Sequence, residues 1–596
     1  AALERWFERR GETDPELRIE LLTARRLMRT SWADPTAGDE GSASERTPVD
    51  IPRRLPAELR FYLEGADAYR RQDLEIAVER WLTLLELEDN DRRERSVMAH
   101  YMLGRTYARL AGFDGQARPD AVEPALDHFA AARRLAGGGW RDDLGLAHES
   151  LGWEARFQLH RGHAPRALRL YAEQLASDNP TAADSIAVAA SALSRADAEA
   201  LEKAAMDPAV RDIYSLYLTA YGHYLGDAAV RWLDSAEAAA ASGDELAAAG
   251  TLAWVAYQHG RFGDAERWLK LTDGGDPFVP WLRSKLATRN GDFDLARAEL
   301  DAAAKALGEQ PELILTESPN GYWRWAAAER ARAEAGALEL ERGRYASSLD
   351  ELLKAGYWMD AAYVAERVMT VEELRNYVDG EWPEDALSES TSRWWGGRTP
   401  FDTDAIAGEI RDLLARRLAR EGRWEAAQLY FAEGLGDLAA QVGSLLARGQ
   451  DLELTDGERA DALWRVAQTL RDHGLELLAT ELDPDWRIWE GQFDLGRFGR
   501  RDPPSREAER ARQALARPNA RFHYRYVAAE LGWQAADLLP NQSDHTARVL
   551  LTAGTWLKNL DPERADRFYK ALVRRCSETE IGRAADRRRW FPPLDF

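Results

Sequence analysis

A short pattern recurs along this 596-residue chain. A small residue or polar turn is followed by an apolar or aromatic residue two positions on, an alanine five on and a bulky residue nine on. The clearest copies are Gly260-Phe262-Ala265-Leu269, Gly291-Phe293-Ala296-Leu300 and Gly422-Trp424-Ala427-Phe431. Looser copies are Gly162-Ala164-Ala167-Tyr171, Gln72-Leu74-Ala77-Trp81 with glutamine in the glycine place, and Gly343-Tyr345-Ser348-Leu352 with serine for alanine. A glycine that ends one helix, with a small residue that lets the next helix approach closely, specifies an antiparallel helical hairpin. The pattern therefore predicts an array of hairpins and points away from an active-site motif.

Length supports this reading. A chain of 596 residues is too long for one core, whereas stacked hairpins bury apolar surface only against their neighbours. Helical patterns run almost without a break from Pro56 to about Val378, and no alternating strand pattern competes with them. An earlier helix is expected from Asp14 to Ser31, with Asp14 as cap and Pro15 in the first turn. Thr370 with Glu373, Thr455 with Glu458 and Ser577 with Glu580 have the spacing of capping boxes. Gly137-Gly138-Gly139 reads as a helix terminator.

The expected organisation is an N-terminal helix and polar linker over 1–55, a helical array over 56–378, a Trp- and Gly-rich loop over 379–404, and a second array over 405–596 interrupted by a similar loop at 483–505. Both loops exceed what a repeat turn needs, so they are either functional or packed covers over an apolar edge. Trp382, Trp394, Trp395, Trp486 and Trp489 lie in them. Covering the array and forming a recognition surface are both open to these five, since aromatic anchors concentrate at interface centres. Trp81, Trp268, Trp281, Trp424 and Trp464 sit at helical packing positions instead, and Trp590-Phe591 is placed to cap the last hairpin or to serve as a docking tail.

The glycine, aromatic, alanine, bulky spacing resembles the tetratricopeptide repeat, a helix-turn-helix unit of about 34 residues. Gly260 and Gly291 lie about one such unit apart. Tyr101-Met102-Leu103-Gly104-Arg105-Thr106, Trp281 through Leu286, and Leu413-Leu414-Ala415-Arg416-Arg417-Leu418-Ala419-Arg420 look like segments of large bacterial proteins of that type. The resemblance implies an all-α superhelical solenoid that holds a protein or peptide on its concave wall, as part of a bacterial assembly. It implies no enzymatic activity and no cofactor.

Charge narrows the partner. Lys plus Arg number 79 against 102 Asp plus Glu, a formal net charge of −23. Such a field repels phosphate backbones, so nucleic acid is not expected, and it favours a partner with basic segments. The acidity fits either a GC-rich genome or adaptation to salt. No stretch is long and apolar enough to span a bilayer, and the single cysteine, Cys576, offers neither a disulfide nor a thiolate metal site. The first residues, Ala1-Ala2-Leu3, fit a processed mature chain as well as a trimmed one. A periplasmic or otherwise exported setting is slightly favoured over the cytoplasm.

Candidate chemistry is sparse. His160 and His163 flank a turn glycine with no third metal ligand nearby in sequence. Glu317-Ser318 resembles the catalytic pair of lytic transglycosylases, but the rest of that motif is missing. No phosphate loop, zinc-protease helix or nucleophile elbow occurs. The main alternative to a scaffold is a carbohydrate or cell-envelope accessory protein whose loop tryptophans stack on sugars. A helical hydrolase remains only if folding brings a buried carboxylate pair together.

Overall fold

The computed structural model describes residues 14–30, 47–112, 116–177, 182–240, 248–272, 275–311, 314–316, 324–382, 403–432, 434–492 and 505–594. Among these the chain is all-α. Its helices pack mainly against their neighbours in sequence, and the one exception in kind is a short antiparallel ladder pairing Ile314–Thr316 with Arg324–Ala326. Two compact units emerge, Ala1–Asp276 and Pro277–Phe596, each with its own apolar clusters. The boundary falls inside the stretch expected to be a single array.

The recurring pattern builds one backbone turn repeatedly. Gln72, Gly162, Gly260, Gly291, Gly343 and Gly422 all have left-handed φ, between 72° and 82°. At each, the amide of the following residue donates to the carbonyl four residues before the turn residue, as in Asp292 N to Ala287 O at 3.0 Å and Asp73 N to Ala68 O at 2.9 Å. The turn residue's own amide donates to the carbonyl three back, as in Gly291 N to Thr288 O at 3.1 Å. These paired bonds satisfy the last carbonyls of the first helix, and the next helix begins two residues after the turn.

A seventh copy, Gly356-Trp358-Ala361-Ala365, uses the same turn, with φ 72° at Gly356 and Tyr357 N bonded to Leu352 O at 2.9 Å. Alanine in place of the bulky residue hid it in the sequence. The small residue at the fifth position is fully buried in every copy: Ala77, Ala167, Ala265, Ala296, Ser348, Ala361 and Ala427 are all 0% exposed.

The structure adds a rule that sequence reading did not use. Seven residues before the turn, six of the seven copies carry a second small residue: Gly65, Ala155, Ala253, Ser284, Gly336 or Ala415. A Cβ added at Gly336 would lie 2.7 Å from Leu352 Cγ, and one at Gly65 would strike the Trp81 indole. The ninth-position residue of the second helix thus packs directly on the backbone of the first.

Helix starts follow the local chemistry with one correction. Asp14 caps the Pro15–Thr30 helix, accepting from Glu16 N at 2.9 Å, and the Thr370 and Thr455 capping boxes form as expected. The third box does not form. Thr579 caps the Glu580–Arg588 helix, accepting from Gly582 N at 3.0 Å, while Ser577 accepts from Gln542. Threonine directly before the helix displaces the serine two residues earlier. After that helix Phe591, only 3% exposed, packs over Phe568 and Gly554 and closes the end of the unit.

Candidate functional site

The most unusual chemistry lies in the unit Pro277–Phe596. The Thr403–Arg420 helix places Arg416, Arg417 and Arg420 among Leu413, Leu414, Ala415 and Leu418, each of which is buried, so these cations turn to protein partners. Opposite runs a five-residue π turn, Val364–Val368, which brings Glu366 and Arg367 inward. Turns of this kind recur at functional sites. The segment after the Asp456–Leu477 helix supplies Thr480, Glu481 and Asp485, all at 1% exposure or less.

These groups form a closed network. Arg416 bridges Glu481 at 2.6 Å and donates to Ala479 O at 2.8 Å, and Trp358 Nε1 donates to the other Glu481 oxygen at 3.1 Å. Arg420 pairs with Glu366, whose second oxygen accepts from Glu481 N at 2.6 Å. Burial pushes the Glu366 carboxyl up, yet Arg420, Arg367 and Arg416 together bring it down to about 2. The Glu366 and Glu481 carboxylates are therefore both in the interior, each ion-paired with an arginine.

Beside the network lies a cavity of about 650 Å³. Its lining includes the apolar Val371, Trp424, Leu446, Leu470, Val527 and Leu531. It also includes Arg417, Arg420, Arg510, Arg517 and His523. Arg510 is neutralised by Glu373 at 2.7 Å, and Arg420 by Glu366. Arg417 is different. It is 6% exposed, donates only to the carbonyls of Ala365 and Met369, and has no ion pair among the described residues. Burial pushes its guanidinium down to about 10, which still leaves it cationic near neutral pH.

His523 is 2% exposed and is aligned by Asp485, with Nδ1 to Oδ2 at 2.7 Å. Burial raises the Asp485 carboxyl, but hydrogen bonds from His523, Thr480 N and Phe522 N hold it below its usual range. An ionised Asp485 fixes the proton on Nδ1 and leaves Nε2, on the other edge of the ring, buried and without a partner. Among the described residues no hydroxyl or thiol bonds to that nitrogen.

The tryptophans singled out from the sequence fall in different places. Trp382 is 7% exposed, belongs to the core cluster, and donates through Nε1 to Tyr377 at 3.1 Å. Trp486 is half-buried against the same cluster and packs on Trp489 with ring centroids 5.4 Å apart. Trp394 and Trp395 lie outside the described residues, as do Glu317 and Ser318. Trp382, Trp486 and Trp489 do not line the cavity.

His163 bonds to Gln158 at 2.8 Å, and no group of three metal-ligating side chains occurs among the described residues. An imidazole pair does form elsewhere, His100 and His128, with Nδ1 atoms 2.8 Å apart. Sequence reading missed that pair because its members lie on separate helices. It missed the cavity for a related reason, although three arginines within an otherwise apolar helical stretch at 413–420 were a visible signal of buried charge. No protein-family model matches this chain, and no curated protein matches it significantly.

Proposed function

We propose that this chain is a non-catalytic scaffold that holds a protein or peptide partner, built as a superhelical solenoid of tetratricopeptide-like hairpins within a larger bacterial assembly. One observation carries the reading. A single hairpin geometry, with the same left-handed turn and the same buried small residue, recurs seven times while consecutive helices pack on one another. Repetition of this kind generates extended binding walls. The net charge of −23 would steer basic segments toward such walls, acting on association rate more than on final affinity. An exported, periplasmic setting is part of the proposal.

The test is co-purification from the native organism after crosslinking, followed by reassembly from purified components. A stoichiometric partner is expected, with an association rate that falls as NaCl rises. Tryptophan fluorescence quenched by soluble oligosaccharides, with no protein partner recovered, would instead support the carbohydrate accessory reading. Fractionation of native cells checks the compartment.

A further inference from the structure

We propose that the cavity in the Pro277–Phe596 unit is a binding site for a small molecule with an apolar body and one carboxylate. Its volume, about 650 Å³, falls within the roughly 300–1,000 Å³ typical of small-molecule sites. The apolar lining groups account for the body of such a ligand, because Val527 and Leu531 are only half-buried. The basic lining groups account for the anion.

Arg420 and Arg510 have carboxylate partners and Arg517 lies exposed to solvent, but the buried Arg417 has no ion pair among the described residues, and His523 carries a buried Nε2 without a partner. Glu366 is the main carboxylate acting on Arg417, yet its oxygens are already taken by Arg420 and by the Glu481 amide. Glu421 is the one acidic lining residue among those described, and it lies exposed, 3.5 Å from Arg423. A chain with net charge −23 has thus placed a buried cation without an ion pair at the lining of one cavity. Buried charge and buried polar atoms left alone are costly, and an incoming carboxylate offsets both.

At His523 the chemistry is symmetrical in one respect. A carboxylate can accept from the imidazolium Nε2–H, or a carboxylic acid can donate to the neutral Nε2. Either way one proton sits between the ring and the ligand oxygen, and Asp485 keeps the ring oriented. Arg417 then supplies the positive field, as a fixed neighbour that never loses its proton near neutrality.

Decanoate is a suitable probe, titrated calorimetrically into the full-length protein, with decanol and decyltrimethylammonium as partners of equal chain length. Saturable one-to-one binding of decanoate is expected, at least tenfold tighter than decanol, with no binding of the cation. Decanoate should also raise the melting temperature in a saturable way. His523→Gln should weaken decanoate at least tenfold and leave decanol unchanged. Val527→Trp, which fills the cavity, should abolish binding of both while the helical melt is retained. Equal affinity for decanoate and decanol, or decanoate binding that survives Val527→Trp, would overturn the proposal.

Discussion

At the scale of single residues, the buried titratable groups make acid sensitivity the most informative property of this protein. His100 and His128 share a hydrogen bond, and His128 stacks on Tyr107; burial first, then neighbouring cationic groups for His100, lowers them from 6.5 to about 3 and about 4. The unfolded chain therefore binds more protons than the folded one below about pH 6.5, so stability falls as pH drops through that window. Replacing both histidines with glutamine should flatten the melting temperature between pH 6.5 and 4.5, measured by circular dichroism. Glu366 acts lower: its carboxyl is near 2 in the fold against 4.5 in its absence, so its contribution is complete above 4.5 and is lost as pH falls toward 2. Glu366→Gln should cost about 3–5 kcal/mol at pH 7 in denaturant melts, since it strands Arg420 in the interior. A change below about 1 kcal/mol would mean that Arg420 finds water.

At the scale of elements, the hairpin turn separates conformational strain from packing. Gly291 and Gln72 occupy the same left-handed region, at φ 78° and 72°, and a Cβ at Gly291 would meet nothing within 4 Å. Gly291→Val is thus a purely conformational change, expected to destabilise by about 1 kcal/mol or more. Gln72→Gly reverses the sign, because removing the side chain relieves strain that exceeds the added chain entropy; a gain of up to about 1 kcal/mol is expected. Gly65→Ala tests the other half of the motif. In an exposed helix the change would help by up to about 1 kcal/mol, but here the new methyl meets the Trp81 ring, and a net loss of about 1–3 kcal/mol is expected. Denaturant midpoints for the three variants decide whether turn and close approach are both read correctly.

At the scale of the whole molecule, net charge exerts a force that no single contact represents. A formal charge of −23 repels itself, and raising NaCl from 0.1 to 1 M shortens the screening length from about 10 Å to about 3 Å. The exposed ion pairs, such as Arg54 with Glu20 at 2.8 Å, contribute little individually and weaken over the same range. The melting temperature is therefore expected to rise with NaCl while the protein stays monodisperse, as salt adaptation requires. A flat response would leave genomic composition as the source of the acidity.

The sequence by itself determined the class and the local geometry. Glycine and small residues at fixed spacing dictate the left-handed turn and the close approach of the next helix, and both are short-range constraints written within about ten residues, as at Gly291, Ala296 and Leu300. Its local failures were the cap at Ser577, where two hydroxyls lie two residues apart, and the turn at Gly356, where alanine stands in the bulky place. Only the tertiary structure decided where charge would be buried. Trp358, Glu366, Arg416 and Glu481 are brought together from positions up to 123 residues apart, and His523 meets Asp485 across 38 residues. No periodicity encodes such meetings. Burial alone decides whether a carboxylate is an ordinary surface group or is held near 2, and whether an arginine dissolves in water or waits beside a cavity.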